Sequence, residues 1–247
     1  MEKNNKVLPI HSVETFGTHE GPGIRLVIFV QGCPLRCLYC HNPDTQDLQF
    51  TKSLSMEEVL AILDKQRPYL GKNGGITISG GEPLLYAGFI EELFTKLQAA
   101  GYHTVLDSSG AIWNEEVKKT LDKTDLLLLD VKHIDAQKYK NLCQGNLAIT
   151  LKVAEYREQS GKPMWLRYVL VPGYTDQTED LENWAKHFQN YQQIERVEIL
   201  PYHTLGVYKY EILQRTYDLA GVSLPTKSDI EKAKNIFQKY FPSVIIR

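Results

Sequence analysis

Six short apolar, β-branched runs, separated by amphipathic stretches, most constrain how this chain of 247 residues can fold. The runs cover residues 25–30, 75–79, 103–107, 125–131, 163–171 and 196–201. Apolar residues at helical spacing fill the intervals at 55–66, 89–100, 114–122, 149–159 and 178–190. A last helix is expected from a capping box at Ser228-Asp229-Ile230-Glu231 to Tyr240, and Ser55-Met56-Glu57-Glu58 opens the first in the same way. Strands that alternate with helices pair in parallel, because each crossover must return the chain to the same sheet edge. The expected fold class is therefore α/β, a partial (β/α)6 barrel with parallel strands, short of the eight units of a closed barrel. No linker or repeat interrupts it, so residues 1–247 read as a single domain. Residues 1–24 lead into the first strand, and 205–247 form a C-terminal extension packed on the barrel. The stretch 205–221 shows no clear regular structure; its tyrosines 208, 210 and 217 suit either a packed loop or a partner surface.

Composition narrows the function. A net charge of −2 provides no basic stripe for nucleic acid. Residues 1–6 are polar and lack a signal-peptide core, and no apolar run reaches membrane-spanning length. Clustered cysteines without a leader point to a reducing, cytoplasmic setting.

Chemistry in parallel α/β folds gathers beyond the C-terminal ends of the strands. There the sequence places three cysteines, then Gly80-Gly81-Glu82, Asp107-Ser108, Asp130-Val131-Lys132, Arg167, and Tyr202-His203. Gly80-Gly81 allows close backbone approach, offering carbonyls, with Glu82, to an ammonium group. Lys132, Arg167 and His203 suit a carboxylate, and Asp130 suits ribose hydroxyls. Together they fit a zwitterionic amino-acid head attached to a nucleoside. An Asp130–Arg167 ion pair inside the rim is the plainer alternative.

The cysteines are Cys33, Cys37 and Cys40, with Cys143 far along the chain. Three thiolates leave one iron of a [4Fe–4S] cluster open for a small molecule. Zinc held by these cysteines and His41 is the competing reading, although structural zinc normally joins two separated ligand pairs. A disulfide would leave one thiol over. Cys143 reads as a small buried side chain near a helix end.

The spacing Cys-x-x-x-Cys-x-x-Cys, with Tyr39 before the third cysteine, resembles the radical S-adenosylmethionine (SAM) superfamily. Gly21-Pro22-Gly23-Ile24-Arg25, Gln31-Gly32-Cys33 and Cys40-His41-Asn42-Pro43 resemble the signature of glycyl-radical-enzyme activases within it. Ser79-Gly80-Gly81-Glu82-Pro83, Leu129-Asp130-Val131-Lys132, Arg167-Tyr168-Val169 and Leu200-Pro201-Tyr202-His203 continue the likeness in order, over about residues 10–247. No cysteine lies between Asn42 and Ser55, where several such activases carry an inserted multi-cluster domain.

The resemblance implies a barrel of radical SAM type, one [4Fe–4S] cluster on Cys33, Cys37 and Cys40, and SAM on the open iron. It implies that Tyr39, His41, Gly81, Glu82, Asp130, Val131, Lys132, Arg167 and His203 bind SAM. Asp107 and Ser108 are implied as candidate ligands of a monovalent cation, and Glu20 and Arg25 as contacts to a substrate loop. The implied partner is a glycyl radical enzyme, pyruvate formate-lyase foremost, with a flavodoxin or ferredoxin as electron donor and a monomeric activase. A SAM-cleaving enzyme with a small-molecule substrate, or a zinc-stapled binding protein, would be the alternatives.

Overall fold

Alternating strands and helices recur throughout the computed structural model, which describes residues 7–247; the polar residues 1–6 lie outside the described residues. Among the described residues nine strands are formed: β1 Val7–Gly17, β2 Arg25–Val30, β3 Lys52–Ser55, β4 Gly75–Gly80, β5 His103–Ser108, β6 Leu126–Asp130, β7 Met164–Leu170, β8 Ile194–Pro201 and β9 Val244–Ile246. The eight α-helices among the described residues are α1 Met56–Leu70, α2 Ala87–Ala99, α3 Glu115–Asp122, α4 Ala136–Cys143, α5 Leu147–Gln159, α6 Thr178–Phe188, α7 Val207–Ile212 and α8 Lys227–Phe237. The strands are mostly parallel and the sheet is open. All six expected strands form.

The chain divides into two compact units, one of residues up to Cys33 with Thr45–Leu128, the other of Pro34–Asp44 with Leu129–Arg247. In the first, β2, β4 and β5 run parallel, with Arg25, Gly75 and His103 in register at their starts. Leu26, Val27 and Ile28 are all fully buried, as expected of a strand covered on both faces. β1 pairs antiparallel with both β2 and β3. In the second unit, β7, β8 and β9 are parallel, and Arg167 faces Glu198 across β7 and β8. Its core includes an aromatic cluster in which Tyr168 meets Trp184 at 5.3 Å and Phe237 at 5.4 Å.

Several sequence-based boundaries shift. β1 arises within a stretch read only as a lead-in, because its burial alternates weakly (Val13 to Phe16 are half-buried or exposed). α1 passes Gln66 and contains Pro68, which has no N–H to donate to Asp64 O, so the helix runs only two residues beyond it. α8 is capped by Thr226 and Asp229 rather than by Ser228 and Glu231, and it ends at Phe237. Within 205–221, six residues form α7, too short a run for periodicity to reveal.

Candidate active site

In the first unit, β2 runs into Gln31-Gly32-Cys33. Gly32, at φ +96°, receives Glu82 N on its carbonyl at 2.8 Å and donates its amide to Thr45 O at 2.7 Å. A side chain at Gly81 would place Cβ only 2.1 Å from Gly32 O. The glycine pair after β4 therefore lets two backbones meet beneath the start of the cysteine loop. Cys33 N donates to Gln46 O at 3.2 Å.

Glu82 is fully buried, and donors surround its carboxylate. Ser108 Oγ donates to Oε1 at 2.6 Å, Leu84 N to Oε1 at 3.0 Å, Ser109 N to Oε2 at 3.0 Å, and Ser109 Oγ also to Oε2. Burial raises its pKa against the pull of these hydrogen bonds. Through these bonds Glu82 ties the loop after β4 to the loop after β5. Ser108 serves Glu82 and Gly110, while Asp107 accepts from Ser79 Oγ at 2.7 Å.

Glu20 and Arg25 lie elsewhere. Arg25 starts β2, at the sheet edge opposite Cys33, and is wholly enclosed. Its guanidinium donates to Thr77 Oγ1 (2.6 Å), Pro22 O (2.9 Å), Ile76 O (2.6 Å) and His103 O (3.1 Å). Burial lowers its pKa to about 10. The guanidinium thereby locks the Gly21-Pro22-Gly23 turn. Glu20 is half-buried beside that turn, its carbonyl accepting from Thr77 Oγ1 at 2.6 Å.

In the second unit, residues 34–44 rest on the end of α4. Arg36 N donates to Cys143 O at 2.8 Å and Leu38 N to Leu142 O at 2.9 Å, so the loop satisfies carbonyls that a helix C-terminus leaves open. Tyr39 packs with Leu142, Val169, Val171, Tyr202 and Leu219, and Cys37 sits against the same group. α7 holds the loop through Tyr210 Oη to Cys40 O at 3.0 Å and Lys209 Nζ to Asn42 Oδ1 at 2.7 Å. His41 stacks on His203 at 3.8 Å, with its Nε2 2.9 Å from His203 O. Burial lowers the pKa of both imidazoles, and the His203 ring further opposes charge on His41.

Asp130 and Lys132 pair at 2.5 Å below this loop. Burial opposes the Lys132 ammonium, but Asp130, Cys37 and Tyr39 outweigh it and hold its pKa well above the usual value. Arg167 Nε bonds to Glu198 Oε2 at 3.0 Å. The suggested Asp130–Arg167 pair is therefore replaced by two separate pairs. Val131 is buried with both main-chain groups used, its N donating to Arg167 O and its O accepting from Trp184 Nε1. Sequence reasoning overlooked Glu198, α7 and the α4 terminus. A lone carboxylate between Val197 and Ile199 was the available signal for Glu198.

These residues fit the expected cofactors. Cys33, Cys37 and Cys40 are partly exposed, and none of the four cysteines is in a disulfide. The Cys143 thiol beside Cys37 lowers the Cys37 pKa, favouring the thiolate that binds iron. Among the described residues, no three His, Cys, Asp or Glu side chains gather as a single metal ion would require. A cubane cluster spreads its thiolates, one per iron. Among the described residues, Tyr39 Oη and Asp130 Oδ1 are buried without hydrogen-bond partners, as expected where a polar ligand belongs. Among the described residues no helix is long and apolar enough to cross a membrane.

Known proteins point the same way. The family model described as Radical SAM superfamily matches residues 27–185. The pyruvate formate-lyase-activating enzyme of Listeria monocytogenes is 39% identical over 236 residues, covering 93% of this chain and 95% of the relative. Its Staphylococcus aureus counterpart is 41% identical over 235 residues, covering 91% and 92%. A solved domain of a pyruvate-formate lyase-activating enzyme from Bacteroides vulgatus shares the fold at TM-score 0.60 and 22% identity, covering 71% of this chain and 99% of that one. Streptococcus suis SuiB bound to S-adenosylmethionine does so at TM-score 0.69 and 17% identity, covering 91% and 50%. The chain belongs to the radical SAM superfamily, and within it to the family of pyruvate formate-lyase-activating enzymes.

Proposed function

We infer that this chain installs a glycyl radical on a partner enzyme, pyruvate formate-lyase, acting as a single radical SAM domain across residues 1–247. The observation that carries this reading lies in the second unit, where the loop bearing Cys37 and Cys40 also carries Tyr39, whose Oη, like Asp130 Oδ1, is buried and has no hydrogen-bond partner among the described residues. A [4Fe–4S] cluster held by Cys33, Cys37 and Cys40 would supply the electron for reductive cleavage of SAM, the chemistry that removes a hydrogen atom from a glycine Cα.

The chain's own residues bind and orient. Cys33, Cys37 and Cys40 each hold one iron. Asp130 Oδ1 accepts from ribose, and Tyr39 and His41 border the adenine. Lys132, already charged through Asp130, and Arg167 receive the methionine carboxylate, with His203 behind them. Gly81 contributes main-chain atoms to the ammonium end. Asp107 and Ser108 are the proposed cation ligands. The reading extends to a one-electron donor of flavodoxin or ferredoxin type, a monomer, and a cytoplasmic setting, with neither nucleic acid nor membrane as partner.

The test is product analysis under anaerobic reduction. Release of 5′-deoxyadenosine stoichiometric with activated pyruvate formate-lyase is expected. Rapid multiple-turnover release that ignores the partner would favour a small-molecule substrate instead.

A further inference from the structure

Two thiols meet where the cysteine loop caps α4, and only one of them belongs to the proposed cluster. We propose that Cys143 is the resolving cysteine of Cys37: when the loop carries no cluster, oxidation of Cys37 by a hydroperoxide is captured as a Cys37–Cys143 disulfide, which a dithiol reverses. The cross-link needs only the two thiols. Its use, keeping Cys37 fit to bind iron again, rests on the reading of Cys37 as an iron ligand.

Main-chain bonds set the pair. Arg36 N donates to Cys143 O at 2.8 Å and Leu38 N to Leu142 O at 2.9 Å, so Cys37 is held between them against the end of α4. Cys37 also packs against the buried group that contains Leu142. A Cβ on Gly145 would lie 2.8 Å from Leu35 Cδ2 and 3.1 Å from Cys143 Sγ, so the thiol is turned to the side of the helix end that the loop covers. The two thiols are hydrogen-bond neighbours there. Cys143 Sγ donates as well to Tyr139 O at 3.1 Å, a bond that the disulfide gives up. The capping bonds involve no thiol, so the loop keeps its place while the sulfurs join.

Exposure divides the roles. Cys37 is partly exposed and Cys143 fully buried, so a hydroperoxide meets Cys37 first. The Cys37 sulfur attacks the O–O bond and takes up OH as a sulfenic acid; the other oxygen leaves with the thiol proton, as water or an alcohol. The Cys143 sulfur then attacks the Cys37 sulfur. The S–S bond forms, the S–O bond breaks, and hydroxide departs with the Cys143 proton as water. Two thiols have lost two electrons and two protons to the peroxide. Without a second thiol, the sulfenic acid passes on to sulfinic acid, which a dithiol does not restore. Cys40 is the competing partner, its amide donating to Cys37 O at 3.1 Å.

The full chain, freed of iron by a chelator under a reductant, is treated with a small excess of hydrogen peroxide. It is then digested with trypsin and mapped by tandem mass spectrometry, with and without dithiothreitol. The expected product joins peptide 37–52 to peptide 141–152 through Cys37 and Cys143, lighter by two hydrogens, and dithiothreitol returns both thiols. In Cys143→Ala, Cys37 should end as sulfinic acid that dithiothreitol leaves unchanged. A Cys37–Cys40 disulfide or a sulfinic acid at Cys37 in the wild-type chain would overturn the proposal, and that map needs no variant. Full recovery of the Cys37 thiol in Cys143→Ala would overturn it too. An untreated wild-type chain that takes up no iron and sulfide would instead sink the functional reading, leaving the cross-link standing.

Discussion

The amide of Arg36 donates to the carbonyl of Cys143 at 2.8 Å, so the loop that carries Cys37 is built as the cap of α4. The bond is made by main chain and survives a change of side chain. Cys143 also donates its thiol to Tyr139 O at 3.1 Å and is fully buried. Cys143→Ala should therefore retain its iron and cost about 1 kcal/mol of stability from the small cavity. Iron per chain and the urea midpoint check this. Loss of the cluster would make Cys143 a ligand.

Gly81→Ala should be far more damaging. Its Cβ would fall 2.1 Å from Gly32 O and 3.1 Å from Thr45 O, both backbone atoms with little room to shift. Separating β4 from the cysteine loop should cost about 2–4 kcal/mol and reduce iron uptake on reconstitution. Gly71→Ala is the control: nothing lies within 4 Å of its Cβ, and only the φ of +60° resists. A Gly81→Ala protein with wild-type iron and stability would contradict the packing argument.

Asp130→Asn should strand the Lys132 ammonium, whose side chain is only 7% exposed. Removing one partner of a buried pair destabilises by about 2–4 kcal/mol here, less than a fully enclosed pair, because Asp130 is partly open. Adding Lys132→Met should recover much of that loss. Additive losses in the double variant would show that the two residues do not act as a pair.

The pH dependence has a definite sign. Burial lowers the pKa of His41, His133, His187 and His203 below the usual 6.5. As pH falls through 6.5 the unfolded chain takes up protons that the folded protein resists, so this contribution to stability is lost on acidification. Glu82 works oppositely from 4.5 upward, because its raised pKa favours the protonated folded form at low pH. His133→Asn isolates one member, since Asn Oδ1 can accept the Asp135 amide that Nδ1 accepts at 2.9 Å. Urea midpoints should fall from pH 7.5 to 5.5, and less steeply in His133→Asn. An equal slope in both would exclude His133.

What could be read from the residues divides along physical lines. Buried parallel strands such as 25–30 announce themselves, because both faces are covered and the apolar run is continuous. β1 does not, because Glu14, Thr15 and Phe16 are exposed and its pairing is supplied by β2 and β3. The cysteines, Asp130 and Lys132 were legible as chemistry because their types and spacing carry it. The Asp130–Arg167 pairing was not, since choosing between Lys132 and Glu198 as partners depends on strand register. Glu82 and Arg25 show a structural engagement that their motifs do not announce. A polar residue in a motif looks like a ligand contact until its donors and acceptors are counted, and here the fold itself engages both groups.

The measurement that tests the central claim most directly is an EPR spectrum. The reconstituted enzyme, SAM, a one-electron reductant and pyruvate formate-lyase are mixed without oxygen. A glycyl radical doublet, split by the remaining α-hydrogen and absent in Cys37→Ala, is the expected result. SAM cleavage with a normal reduced-cluster signal but no such doublet would contradict the partner assignment, and absence of any cluster signal would contradict the site.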